Sequence, residues 1–392
     1  MKTAGIEILK AEVEDTFGRK ILTSKDSIDL SDAIVMKNGP RINFNTLRRC
    51  FGLVKSNYPP SVSTLNILSG YCGFSSFDNL VKYKQAAGES VKKEMGTLLN
   101  YFLAVFQNVT VQNVDDPTFI NLTRATIDFL NQNTEMAYEF QKTIVKTNNG
   151  KNFYFEYFVN IDKLNSYYGS GLRYYLAVNK DDDSQIFGHS ILCLKYWLSM
   201  DFDNLEHNYK NLMQYAISEQ VSITTSARYF SAKLFFAEAS GLNTTEVICE
   251  AIEFYKNAKT SGRYNGSIVF FELHFAESLI LTNHYSEALI FTSEGYRKNS
   301  LNYYSEDVQL FKSFKLYHTL VLANTGNEKR AMELFEQINP HEFYFIKKQF
   351  QSILYLGLGT KLNKIKSGKR QIDFLIKETG FIKMESLPIA AM

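Results

Sequence analysis

Apolar residues recur every three or four positions along most of this chain, and no stretch alternates with a period of two for long enough to make a strand. That spacing gathers the apolar side chains on one face of a helix. Only six prolines interrupt the 392 residues, so long helices are permitted nearly throughout. An all-α fold follows. A chain of this length supports two or more domains with a sizeable core. Its 45% hydrophobic and 21% charged content fits a soluble globular protein, and its tyrosines and phenylalanines must mostly serve that core.

Taken in order, Ile6, Leu9, Val13, Phe17 and Ile21 predict a first amphipathic helix. Ser24 or Asp26 is placed to cap a second, which carries Ile28, Leu30, Ala33, Ile34 and Val35 before Gly39-Pro40 stops it. Asn43 is a good N-cap for a third helix with Leu47, Cys50 and Phe51 turned inward and Asn45, Arg48 and Arg49 outward. After Pro59-Pro60, Ser61 or Ser63 caps a fourth helix with Leu65, Leu68 and Cys72 inward. A short fifth helix runs through Phe77 and Leu80. Charge is concentrated here: between Arg41 and Lys84 the bases Arg41, Arg48, Arg49, Lys55, Lys82 and Lys84 face the single acid Asp78. That is 6 − 1 = +5 in a chain whose total is +2. Such a concentration suits a polyanionic partner.

A helix with Thr46-Leu47, a connection with Pro60-Ser61, then Thr64-Leu65-x-x-Leu68 and Gly73-Phe74-Ser75-Ser76-Phe77, is an order that resembles the lambda-repressor-like helix-turn-helix domain. The resemblance covers roughly residues 6–83. It implies that the third helix, over 43–51, reads double-stranded DNA while the fourth and fifth close the core. Ala33 and Leu47 lie 14 residues apart, a longer turn than the family's. Arginine donates bidentately to guanine or phosphate and asparagine reads adenine, which is the chemistry of a recognition helix. The candidate DNA-binding residues are therefore Asn43, Asn45, Thr46, Arg48 and Arg49, with Lys55 and Ser56 positioned for phosphate.

From about residue 90 the chain reads as one helix after another. Segments 119–158, broken at Asn148-Asn149-Gly150, are followed by 167–178, 186–198, 204–217, 225–240, 245–258 and 267–282. A degraded repeat is visible: Asn283-His284-Tyr285-Ser286-Glu287-Ala288-Leu289 and Gly326-Asn327-Glu328-Lys329-Arg330-Ala331-Met332 each follow an apolar helix. A weaker copy leads to Ala251. The alanines Ala251, Ala288 and Ala331 are 37 and 43 residues apart. These units resemble tetratricopeptide-type helical hairpins, in which a small residue lets neighbouring helices approach closely. That resemblance implies an α-solenoid body, placed here at 89–392 behind a helix-turn-helix bundle at 1–88. Such a body binds extended peptides on a concave face, and the sequence leaves open which of Tyr168, Tyr174, Tyr229 and Tyr304 would line that groove and which belong to the core.

Enzyme signatures fail in turn. Gly357-Leu358-Gly359-Thr360-Lys361 lacks the spacing of a phosphate loop, and Asp181-Asp182-Asp183 lacks the glycine and glutamate of a calcium loop. Six scattered histidines form no metal-binding pair. Gly169-Ser170-Gly171 lacks the frame of a nucleophile elbow. Cys50, Cys72, Cys193 and Cys249 stand singly and read as buried free thiols. No catalytic residue, cofactor or metal is expected, and neither export signal nor membrane span is found.

The expected protein is a cytoplasmic, DNA-binding transcription regulator whose body senses a peptide or protein, forms a homodimer, or both. The alternatives are a non-catalytic interaction scaffold and an accessory subunit that holds nucleic acid. A second basic stretch, nine bases against three acids over 343–392, reads as a solvated terminal helix or as a backbone grip.

Overall fold

The computed structural model describes residues 2–37, 40–56, 58–111, 116–262, 270–300, 308–366 and 368–387, all helices and connections with no strand among them. Two compact units emerge, 1–101 and 102–392.

The first unit holds α1 (Lys2–Phe17), α2 (Ser24–Met36), α3 (Phe44–Cys50), α4 (Val62–Tyr71) and the start of α5 (Phe77–Asn108). A capping box starts α2: Thr23 Oγ1 accepts from Asp26 N at 3.2 Å while the Asp26 carboxylate accepts from Thr23 N at 2.8 Å. The cap thus falls one residue before the expected Ser24, with Asp26 as its reciprocal partner. Leu9, Val13, Ile21, Leu30, Ile34, Leu47, Cys50, Leu65, Leu68 and Leu80 fill the core. Expectation and structure part on α2, where Ile28 and Val35 are exposed and Ser27 and Ser31 are buried instead. Ser31 explains itself, since its hydroxyl donates to Ile42 O at 2.6 Å and ties the long α2–α3 turn to the helix.

The expected short fifth helix is instead 32 residues long. Gly88 and Gly96 lower helix propensity by only about 1 kcal/mol each, and no proline falls between Pro60 and Pro117 to stop it. Both the unit boundary and the one expected between residues 88 and 89 lie inside this helix.

The second unit begins with α6 (Pro117–Gln132), α7 (Thr134–Ile144), a π-helical segment (Gly150–Tyr157) and a 3-10 turn (Ile161–Lys163). Asn148-Asn149-Gly150 therefore opens a helix where a break was expected. The chain breaks earlier, at 145–147, and Asn149 Nδ2 donates to Phe106 O and Val109 O at the end of α5.

Next come α8 (Tyr167–Val178), α9 (Asp182–Leu198), α10 (Phe202–Leu212), α11 (Ile223–Ala239), α12 (Thr244–Thr260), α13 (Phe270–Leu281) and α14 (Tyr285–Ser300). The unit ends with α15 (Val308–Asn324), α16 (Glu328–Phe335), α17 (Lys348–Lys361) and α18 (Lys369–Thr379). In this solenoid-like arrangement α9, α11, α13, α15 and α17 pack in series, and each also packs on the helix that follows it. Ala251, Ala288 and Ala331 are all fully buried, on α12, α14 and α16. Tyr168 is core, Tyr174 and Tyr229 are half-buried, and Tyr304 lies outside the described residues. All four cysteines are free; Cys50 and Cys193 are buried, but Cys72 is half-buried and Cys249 is exposed on α12.

Long-range polar ties cross this body. Asp162 accepts from Gln349 N at 2.8 Å and Phe350 N at 3.0 Å, a carboxylate at the N-terminus of α17. Lys347 pairs with Glu277 at 2.8 Å, both side chains 7% exposed, and Tyr317 Oη donates to the same carboxylate. Lys383 pairs with Glu238, which also accepts from the buried Trp197 indole.

Three buried groups set a pH dependence. Burial lifts Glu156 to about 7, against the pull of the Tyr175 hydroxyl and Lys151, and likewise lifts Asp162 to about 6. Burial, reinforced by Arg228, holds His274 well below the usual histidine range. Between about pH 4.5 and 7 the folded chain keeps a proton on Glu156 that the unfolded chain releases, so this group's contribution is lost as pH rises. His274 acts oppositely: below about 6.5 the unfolded chain takes up a proton that the folded chain refuses, so stability falls as pH falls. With Glu156→Gln the first slope disappears. Urea midpoints of that variant should climb more steeply from pH 5 to 7 than those of the native chain; parallel curves would show that Glu156 is ionised throughout.

Candidate nucleic-acid interface

Asn43 is extended (φ −60°, ψ 129°) and its side chain accepts from Asn45 N at 2.8 Å, which starts α3. Thr46 N and Leu47 N donate to Asn43 O. Leu47 and Cys50 point into the core, and Phe51 caps the C-terminus. This leaves Asn45 and Arg49 exposed and Thr46 and Arg48 half-buried. Helix bounds and inward face agree with the sequence reading.

The side chains are less uniform than their spacing suggested. Asn43 is a capping group, with its oxygen already committed. Arg48 Nη1 donates to Asn45 Oδ1 at 3.1 Å, while its Nε is buried without a hydrogen-bond partner. Adjacent residues on a helix point about 100° apart, so Arg48 lies along the helix flank and Arg49 projects to solvent. Ser56 Oγ donates to Tyr58 O at 2.9 Å within its own turn, and Lys55 is exposed.

The charge footprint also narrows. Arg41 pairs with Asp32 at 2.8 Å and Lys84 with Glu12 at 2.5 Å, acids that lie outside the basic segment. Arg48, Arg49, Lys55 and Lys82 have no carboxylate partner among the described residues. They are the cations left to attract a polyanion.

Exposed apolar groups border this segment and were not anticipated: Tyr58 at 84%, Val62 at 69% and Phe44 at 38%. Two signals were available. Tyr58 precedes Pro59-Pro60, and Val62 and Phe44 each stand at the first position after an N-cap, which faces outward here.

The basic stretch at the other end is mostly spoken for. Lys347 is buried in its ion pair, Lys361 donates to Asn324, Lys364 pairs with Glu336 and Lys383 with Glu238. Lys348, Lys366, Lys369, Arg370 and Lys377 remain exposed. Asp181 caps α9, accepting from Ser184 N, and pairs with Lys151 at 3.0 Å. No group of three or more His, Cys, Asp or Glu suited to a metal occurs among the described residues. None of the described helices is long and apolar enough to cross a membrane.

Comparison with family models, with curated proteins and with solved structures finds no match to this chain.

Proposed function

We propose that the chain is a DNA-binding transcription regulator, with α3 entering the major groove and the helical body sensing a peptide or protein partner, dimerising, or both. The observation that carries this reading is the division of α3: Leu47 and Cys50 anchor it in a small helical core while Asn45 and Arg49 face outward, and Arg48, Arg49, Lys55 and Lys82 lack carboxylate partners among the described residues. Arg49 is the base- or phosphate-contacting group, and Lys55 positions the backbone. Asn45 keeps its amide nitrogen and a second oxygen lone pair for a base edge while accepting from Arg48, so Arg48 orients the amide.

Selection of bound sites from random duplexes with the full chain tests the proposal. An enriched motif supports it, and two-fold symmetry in that motif would indicate a dimer. Arg49→Ala should weaken the selected duplex by about 1–3 kcal/mol, and native binding should fall steeply with salt. Failure to bind any duplex at low salt would sink the reading.

The exposed Tyr58, Val62 and Phe44 favour a second reading, in which the same head docks a protein and the body is a scaffold. Salt-insensitive capture of a protein, without duplex binding, would select it.

A further inference from the structure

Helices α9, α11 and α13 line a small, partly open cavity of about 20 Å³, with Ser190 from α9, Arg228 and Ser231 from α11, and His274, Glu277 and Ser278 from α13 beside three apolar side chains. Arg228 is 7% exposed and Ser190 2%. Arg228 Nη2 is hydrogen-bonded to His274 Nε2 at 3.1 Å, but Arg228 Nε is buried with no partner, and so is Ser190 Oγ. A buried N–H left without an acceptor is destabilising, more so when the group is charged. Both atoms belong to residues that line this one cavity.

We propose that this cavity is a binding site for one ordered water molecule, which accepts from Arg228 Nε and hydrogen-bonds Ser190 Oγ, joining α9 to α11. Size selects the ligand first. About 10–15 Å³ of such room is needed for one water, so the space holds one and excludes an organic group. Charge selects it next. A cation is repelled by the Arg228 guanidinium. A halide would satisfy Nε but would lie against the Glu277 carboxylate, which lines the same cavity. Water is neutral and both donates and accepts, which suits a donor that must give and a hydroxyl that can do either. The site belongs to the second unit and does not depend on the function proposed for α3.

A crystal structure of the full chain at a resolution that shows bound solvent tests this, together with a bromide soak. The expected result is one water peak within hydrogen-bond distance of both atoms, with no anomalous signal. A Ser190→Ala crystal should lose the peak or show it shifted toward Arg228. An empty cavity overturns the proposal, an anomalous bromide peak replaces water with an anion, and a peak unmoved in Ser190→Ala removes Ser190 as its partner.

Discussion

Replacing Lys347 with methionine should cost about 3–5 kcal/mol, read as a lower urea midpoint with little change in slope. Lys347 Nζ lies 2.8 Å from Glu277, and neither side chain is more than 7% exposed. Desolvation of both charges has already been met in the fold, and each is tolerated because the other is there. Methionine fills much of the same volume but leaves the Glu277 carboxylate buried with only the Tyr317 hydroxyl donating to it. The double change Lys347→Met with Glu277→Leu removes both desolvation costs and should recover part of the loss. What stays lost is the acceptor for Tyr317, worth about 1–3 kcal/mol for a buried hydroxyl. If the single and double variants are equally unstable, the pair contributes through packing and not through charge.

Gly169→Ala should be nearly as damaging, about 3 kcal/mol or more. A Cβ there would stand 1.9 Å from Leu164 O and 3.1 Å from Lys195 Cδ. The lysine stem can swing aside. The carbonyl belongs to the backbone just after the 3-10 turn, and moving it disturbs Asp162 and through it the start of α17. Overpacking normally costs 1–3 kcal/mol, and a backbone obstacle places this site at the upper end or beyond. Gly70→Ala in α4 is the control. It meets nothing within 4 Å and should stabilise by about 0.5–1 kcal/mol, because alanine is the better helix former. Similar midpoints for the two variants would mean that α8 shifts without penalty.

The sequence was readable where the determinants are local. Tyr167–Val178 was delimited to the residue, and Asn43 and Ser61 act as the expected caps because their side chains reach amides two or three positions on. The core face of α3 followed from spacing alone. Arg48 and Arg49 were indistinguishable as letters; what separates them is the angle between neighbouring residues and the orientation of α3 on the core. Asp32 and Glu12 neutralise Arg41 and Lys84 from other helices, so the +5 of the segment overstated the charge it presents. Neither the Lys347–Glu277 pair nor the Asp162 clamp had a local signal, since the partners are 70 and 187 residues apart. Burial of Ser27 and Ser31 went unseen because the inward face of α2 was drawn from its apolar residues alone.

The Asp162 clamp also bears on how the body comes apart. In a simple stack each repeat touches only its neighbours, so stability is a sum of local terms and ends can peel away. Here residues 161–163 hold the start of α17, Asn165 donates to Thr379 O and Gly380 O, and Lys383 reaches back to Glu238. The last segments of the chain thus complete a seam begun at its middle, and the body behaves less like a row of tiles than like a belt whose buckle is α17.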